Sequence, residues 1–272
     1  MNPHALPSRT APRWSTRQLA GATLLVAAGL FALVGPLAGG DPLRQDLSRV
    51  LEAPGGTFLL GTDHLGRNML ARLAHAARLS LGLAMLTVVS AAVPGTLLGI
   101  AAAWRGGWLE RVLAGIADGV LALPALLLVA LLTAVAPGTL WPYYLGLSLA
   151  FWVEYFRIVR ATSRSLLASP HVEASRLLGF GAGYILKRHL LPELAPLLFT
   201  LMTFGAATAV LSLATMGFVG VGLRPPTPEL GVMMVELLPY YQEAPWLLGA
   251  PVALLVAVVV ALALLRKDDA AS

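Results

Sequence analysis

Five stretches of the sequence, 18–40, 79–104, 119–153, 194–223 and 244–265, each run for more than 20 residues without an Asp, Glu, Lys or Arg. A helix needs about 20 mostly apolar residues to cross a bilayer, whereas a barrel strand needs only about 10. The hydrocarbon interior offers no water to unpaired backbone groups, so runs of this length imply spanning helices. The third run is too long for one span and holds Pro137-Gly138 ahead of Trp141, Pro142, Tyr143 and Tyr144, a turn signal that divides it. The expectation is an all-α polytopic membrane protein with six transmembrane helices, at 19–38, 79–103, 112–135, 141–159, 194–219 and 246–265.

Composition agrees with this reading. Of 272 residues, 57% are hydrophobic and 12% charged, about half the charged share of a soluble domain. The chain has no cysteine, which excludes thiolate metal sites, thiol nucleophiles and disulfides. With six spans both termini share a side, and that side collects 13 of the 19 Lys and Arg residues against 6 on the other. Both termini are therefore expected in the cytoplasm. The pattern divides the chain into a cytoplasmic N-terminal leader (1–17), a first transmembrane anchor (18–40), an external segment (41–78), a five-helix core (79–265) and a cytoplasmic tail (266–272). The first run exceeds the apolar core of a signal peptide, so it is expected to remain as an anchor. A short amphipathic helix is expected over 66–78 in an otherwise turn-rich external segment.

Between spans four and five lies a cytoplasmic helix-turn-helix. Ser169 is a suitable N-cap, and Pro170 follows at the first helical position, where its missing N–H costs nothing. The helix runs through Glu173, Ala174, Ser175 and Arg176 and stops at Gly179, which tolerates the left-handed conformation of a helix end. A second short helix, 184–191, precedes Pro192 and span five. Small residues at Ala174 and Ser175 let another protein surface approach closely, with Glu173 and Arg176 as charges at its rim. The plain alternative is a solvated loop whose Glu merely favours a helix N-terminus.

The pattern Glu173-Ala174-Ser175, three residues, Gly179, nine residues, then His189-Leu190-Leu191-Pro192 resembles the EAA loop of ABC importer permeases, with Ser in place of the second Ala and His at a commonly aliphatic position. Two further stretches resemble the dipeptide, oligopeptide and nickel branch of that family. They are Gly61-Thr62-Asp63-His64-Leu65-Gly66-Arg67-Asn68 after span one, and Gly217-Phe218-Val219-Gly220-Val221-Gly222 with Pro225-Pro226-Thr227-Pro228-Glu229 after span five. Leu230 departs from the family, which often has Trp there. The resemblance implies that the loop at 161–192 is the coupling segment that docks on a cytoplasmic ATPase, through Glu173, Ala174, Ser175, Arg176, Gly179, His189 and Pro192. It implies a second homologous permease, two ATPase subunits that bind ATP and Mg, and an extracytoplasmic substrate-binding protein. The chain itself is expected to bind no cofactor or metal and to be no enzyme. The cargo implied is a short peptide, with nickel or a metal chelate as the nearest alternative. Asp63, Gly66, Arg67, Pro225, Pro226 and Glu229 are the candidate external-loop residues, and the setting is a prokaryotic inner membrane.

Residue chemistry excludes other classes. Neither Lys187 nor Lys267 follows a Gly-rich loop, so the chain has no phosphate cradle of its own. The five histidines form no His-x-x-x-His pair, and no serine has a nucleophile-elbow frame. Asp63-His64 reads as a turn and cap, and Glu154 and Arg157, three apart on one helix face, read as a mutual pair. Gly205, Gly217, Gly220 and Gly222 near span five read as helix packing or as the lining of a path. An ion-gradient-driven transporter, the rival class, would show inverted repeats, broken helices and buried ionisable groups.

Overall fold

The computed structural model describes residues 15–266. Most of the basic leader, including Arg9 and Arg13, and the tail from Lys267 lie outside the described residues. The helices are α1 (Thr16–Gly39), α2 (Met69–Arg105), α3 (Gly107–Leu121), α4 (Ala125–Val135), α5 (Leu140–Leu167), α6 (Pro170–Leu177), α7 (Ala182–Ile185), α8 (Leu191–Phe218), α9 (Leu230–Leu237) and α10 (Pro245–Leu264). Among the described residues there is no strand, only an isolated bridge between Thr62 and Asn68.

Four helical runs are long and apolar enough to cross a membrane: Thr16–Leu37, Met69–Arg105, Ala182–Phe218 and Pro245–Leu264. The α3–α4 pair, bent by 83°, makes a fifth when read as one broken span. Helix α5 has 28 residues, enough length to cross, but Glu154, Arg157, Arg160 and Arg164 make its second half polar.

The structure alters the expected spans at three places, each for a local reason. The separate amphipathic helix expected over 66–78 is instead the first part of α2, which Asn68 caps by accepting from the N–H groups of Leu70 and Ala71. No turn residue stands between Arg78 and Leu79, and Ala71, Ala74 and Ala77 are buried, so nothing ends the helix there. The single span expected at 112–135 breaks at Pro124, which lacks an N–H and drives Leu123 out of helical geometry. The second short helix before Pro192 does not stop. A π-helical turn, Leu186–Leu190, carries it directly into α8, since a widened turn accommodates a proline that cannot accept a regular helical register. The turn at Pro137-Gly138 separates α4 from α5, with Gly138 at φ +79°.

Helix α2 is the organising element and packs most extensively against α5. Gly95 and Gly99, one turn apart, face that helix so closely that a Cβ on Gly95 would lie 2.7 Å from the Trp152 carbonyl and one on Gly99 would lie 3.0 Å from the Phe156 carbonyl. Such small-residue spacing lets two backbones approach within a membrane. Hydrogen bonds fix the arrangement: Ser90 and Ser148 hydroxyls meet at 2.8 Å, and Tyr143 donates to the Leu213 carbonyl at 2.7 Å. A second cluster, with Met69, Leu73, Leu230, Met233 and Leu247, joins α2, α9 and α10. A third, with Val159, Val172, Ile185, Leu190 and Leu194, seats the α6–α8 elbow against α5.

Candidate functional site

The elbow between α5 and α8 is built from the signals in its sequence. Ser169 occupies the cap position with extended backbone, and its carbonyl accepts from Val172 and Glu173, but its hydroxyl makes no capping bond. Pro170 stands at the first helical position, and α6 ends at Gly179, whose φ is +81°. There the Gly179 N–H donates to the Arg176 carbonyl and the Phe180 N–H to the Ser175 carbonyl, which completes a Schellman close. Val172 and Ser175 form the buried side of α6, and Glu173, Ala174, Arg176, Leu177 and Leu178 are exposed. Leu177 and Leu178 are 84% and 76% exposed, an apolar ridge on a helix otherwise rimmed by charge. Phe180 stacks on Tyr184 at 4.2 Å and extends that ridge.

Ser175 and His189, the two substitutions in the motif, touch each other. The Ser175 hydroxyl lies 2.9 Å from His189 Nε2 and also donates to the His171 carbonyl at 3.0 Å. This contact ties α6 to the π-turn that enters α8. Helix α6 is thereby anchored to both neighbours, to α5 through Val172 and Val159 and to the entry of α8 through Ser175 and His189. Pro192 is exposed at the start of α8.

At the opposite end of α2 two of the candidate external-loop residues, Asp63 and Arg67, join Arg72 and Glu236 in a buried charge cluster. Asp63 Oδ2 accepts from Arg67 Nε and Arg72 Nη1, both at 2.6 Å, while Glu236 accepts from Arg67 Nη2 and Arg72 Nη2, both at 2.5 Å. Two carboxylates and two guanidiniums close a neutral ring, and Asp63, Arg67 and Arg72 are essentially inaccessible to solvent. Burial alone would raise the Asp63 carboxyl, but the Arg67 and Leu65 N–H groups and the two guanidiniums outweigh it and hold it below the usual range. Glu236 is held down in the same way, chiefly by Arg72 against the opposing effect of burial. His64 stacks on Tyr240 at 4.9 Å, and burial lowers its pKa despite both nearby carboxylates. Asp63 is thus a turn residue, accepting from the Leu65 and Arg67 N–H groups at 2.9 Å, and also the hub of an ion network. Gly66 permits the turn: its φ is +69°, and a Cβ there would collide with the Asp46 carbonyl.

Glu229, also buried, caps α9 by accepting from the Val232 N–H at 3.0 Å and from the Ser80 hydroxyl at 3.0 Å. Burial raises its pKa above the ordinary carboxylate value. Gly217 faces this carboxylate so closely that any side chain would displace it, and Gly205 faces the Tyr155 hydroxyl. Gly220 and Gly222 lie in the loop after α8 at φ +78° and +106°, Gly222 against the Tyr143 ring. Pro225 and Pro226 are exposed in the following turn. Arg157 pairs with Asp118 at 3.4 Å rather than with Glu154, because α3 runs alongside α5 and brings Asp118 opposite. Arg72 and Glu236 are functional-site candidates that the sequence reading missed. Glu236 interrupts the apolar run of α9, and that lone acid was the available signal. Among the described residues no group of three His, Cys, Asp or Glu is placed to hold a metal.

Comparison with known proteins gives concordant matches. A family profile described as "Binding-protein-dependent transport system inner membrane component" matches residues 95–266. A dipeptide transport system permease protein of Haemophilus influenzae is 33% identical over 251 residues, covering 89% of this chain and 85% of that protein. A di/tripeptide transport system permease protein of Pseudomonas aeruginosa is 36% identical over 235 residues, covering 84% and 77%. Among solved structures, a chain of the inward-facing MetNI methionine ABC transporter aligns with a TM-score of 0.55 at 23% identity, over 72% of this chain and 93% of that one. At that identity the likeness concerns the fold.

Proposed function

The chain belongs to the family of binding-protein-dependent transport system inner membrane components, and on that premise we propose that it is a permease subunit of an ATP-driven importer of short peptides. The relatives named for dipeptide and di/tripeptide transport support the cargo. In this reading α5 and the α3–α4 pair complete six spans, and both termini and the α6 elbow face the cytoplasm. A second permease, two ATPase subunits and an external binding protein complete the machine. ATP and Mg bind to the ATPases, and this chain performs no covalent chemistry.

One observation carries the mechanism. Helix α6 is short, bounded by Pro170 and Gly179, and anchored by Val172 and Ser175, while its other face offers Glu173, Ala174, Leu177 and Leu178 to a partner. A rigid lever pinned between α5 and α8 converts ATPase closure into rocking of those helices, which opens the path alternately to either side. The charge cluster at the other end of α2 holds the external segment rigidly on α2 and α9.

Single cysteines in this cysteine-free chain test the assignment. Ala174→Cys should crosslink to an ATPase subunit and react with an impermeant thiol reagent only in inside-out vesicles. Thr57→Cys, exposed in the external segment, should react only in intact cells. The reverse labelling pattern, or an Ala174→Cys chain that crosslinks to no ATPase in the assembled complex, would overturn it.

A further inference from the structure

At the midpoint of the 28-residue α5, Glu154 and Arg157 project beside the break between α3 and α4. Asp118, near the end of α3, holds Arg157 at 3.4 Å, and both side chains keep more than half of their surface exposed, 64% and 52%. Glu154 is exposed and has no ion pair among the described residues. The space between these elements is an open pocket of about 660 Å³, lined by Leu121, Ala125, Ala150, Phe151, Glu154 and Arg157 among others.

Charges within a spanning helix are costly against lipid and belong beside water, protein or a transported molecule, and Glu154 and Arg157 lie in the inner part of the expected fourth span, 141–159. The half of α5 before Glu154 carries no charge at all, while Arg160 and Arg164 follow toward the elbow and pair with Glu110, so Glu154 and Arg157 are the first charges met along the helix from its apolar end. The adjoining break, bent by 83°, opens the space beside these two side chains.

We propose that this pocket is a subsite on the translocation path that holds both charged ends of a zwitterionic short peptide. Arg157, oriented by Asp118, takes the carboxylate, and Glu154 takes the ammonium group. The proposal rests on the peptide-importer reading above and names the contacts within it. Residues three apart on a helix carry their Cβ atoms about 5–6 Å from each other. A chain extends at most about 3.6 Å per residue, so the termini of a dipeptide span a comparable distance. Different short peptides share only their backbone and charged ends, so a carrier of many sequences must grip those. The apolar walls formed by Leu121, Ala125, Ala150 and Phe151 accept varied side chains because hydrophobic pockets discriminate weakly among them.

The test uses the complete transporter in proteoliposomes, with dipeptide uptake and ATP hydrolysis stimulated by the loaded binding protein measured together. Glu154→Gln and Arg157→Gln should each lower uptake roughly tenfold to a hundredfold, the loss expected of one charge-assisted contact, while stimulated hydrolysis stays close to normal. Glu154→Asp, which keeps the charge, should recover most of the uptake. A second measurement leaves the charges intact: Ala150→Cys should react with a water-soluble thiol reagent, and the dipeptide should slow that reaction. Normal uptake in both Gln variants, a parallel fall of uptake and hydrolysis in both, or an unreactive Ala150→Cys overturns the subsite alone. A wild-type complex that moves no dipeptide retires the peptide reading and the subsite with it.

Discussion

Asp63 illustrates how much a single residue settles in this molecule. Its carboxylate receives two guanidiniums and two backbone N–H groups while wholly buried. Removing one partner from a buried ion pair leaves an uncompensated charge and costs about 3–5 kcal/mol. Asp63→Asn should therefore lower the unfolding temperature in detergent far more than Asp46→Asn, whose carboxylate is exposed. The pH dependence follows in sign. The folded pKa values of Asp63 and Glu236 are depressed, so their contribution is complete above the ordinary carboxylate values of 3.8 and 4.5 and is lost as pH falls through the depressed ones. His64, also depressed, contributes stability above its ordinary value of 6.5 that fades as pH drops below it. The His64 share should fade below about pH 6.5, against the opposite trend of Glu229, whose burial raises its pKa, and stability should fall steeply below about pH 4. Between about pH 6.5 and the acid transition, His64→Gln should lose less stability than the wild type. The motif containing Asp63 and Arg67 was legible in the sequence. Its partner Glu236 was not, because Arg72 and Glu236 lie 164 positions apart and no local pattern encodes such a pairing.

At the scale of the helices, apolar run length disclosed where α1, α2, α8 and α10 lie, and Pro137-Gly138 disclosed the start of α5. The 83° break at Pro124 was missed because its flanks, Leu121 to Leu131, are uniformly apolar and a hydropathy reading registers length rather than direction. Helix α9 was missed for a related reason: eight residues are too few for a periodicity to emerge, and its start depends on Glu229 reaching Ser80 across 149 positions. Close packing between α2 and α5 rests on Gly95 and Gly99, four residues apart, a spacing that the reading of the sequence did not single out. Overpacking such a contact costs about 1–3 kcal/mol. Gly95→Leu should thus reduce the yield and unfolding temperature of the purified chain. Gly29→Leu, at a glycine with nothing within 4 Å of its Cβ position, should leave both nearly unchanged.

Across the whole molecule, rigid contacts concentrate at the two ends of the bundle. One end is fixed by the neutral ring of Asp63, Arg67, Arg72 and Glu236, the other by the α6 elbow with its Ser175–His189 contact. Between them, helices α2, α5 and α8 approach closely at Gly95 and Gly99 and pack around Tyr143, Trp152, Phe156 and Leu213. In the proposed reading the elbow end faces the cytoplasm, and the elbow is where the drive would enter. The most direct measurement is ATP-driven dipeptide uptake by the complete transporter carrying Glu173→Arg. Glu173 is exposed on α6, so a change there should alter stability by only about 0.5 kcal/mol, and the chain should reach the membrane at a normal level. Uptake and binding-protein-stimulated ATP hydrolysis should be lost together, with weakened co-purification of the ATPase subunits. Normal uptake with the charge reversed at this position would contradict the coupling role of the elbow.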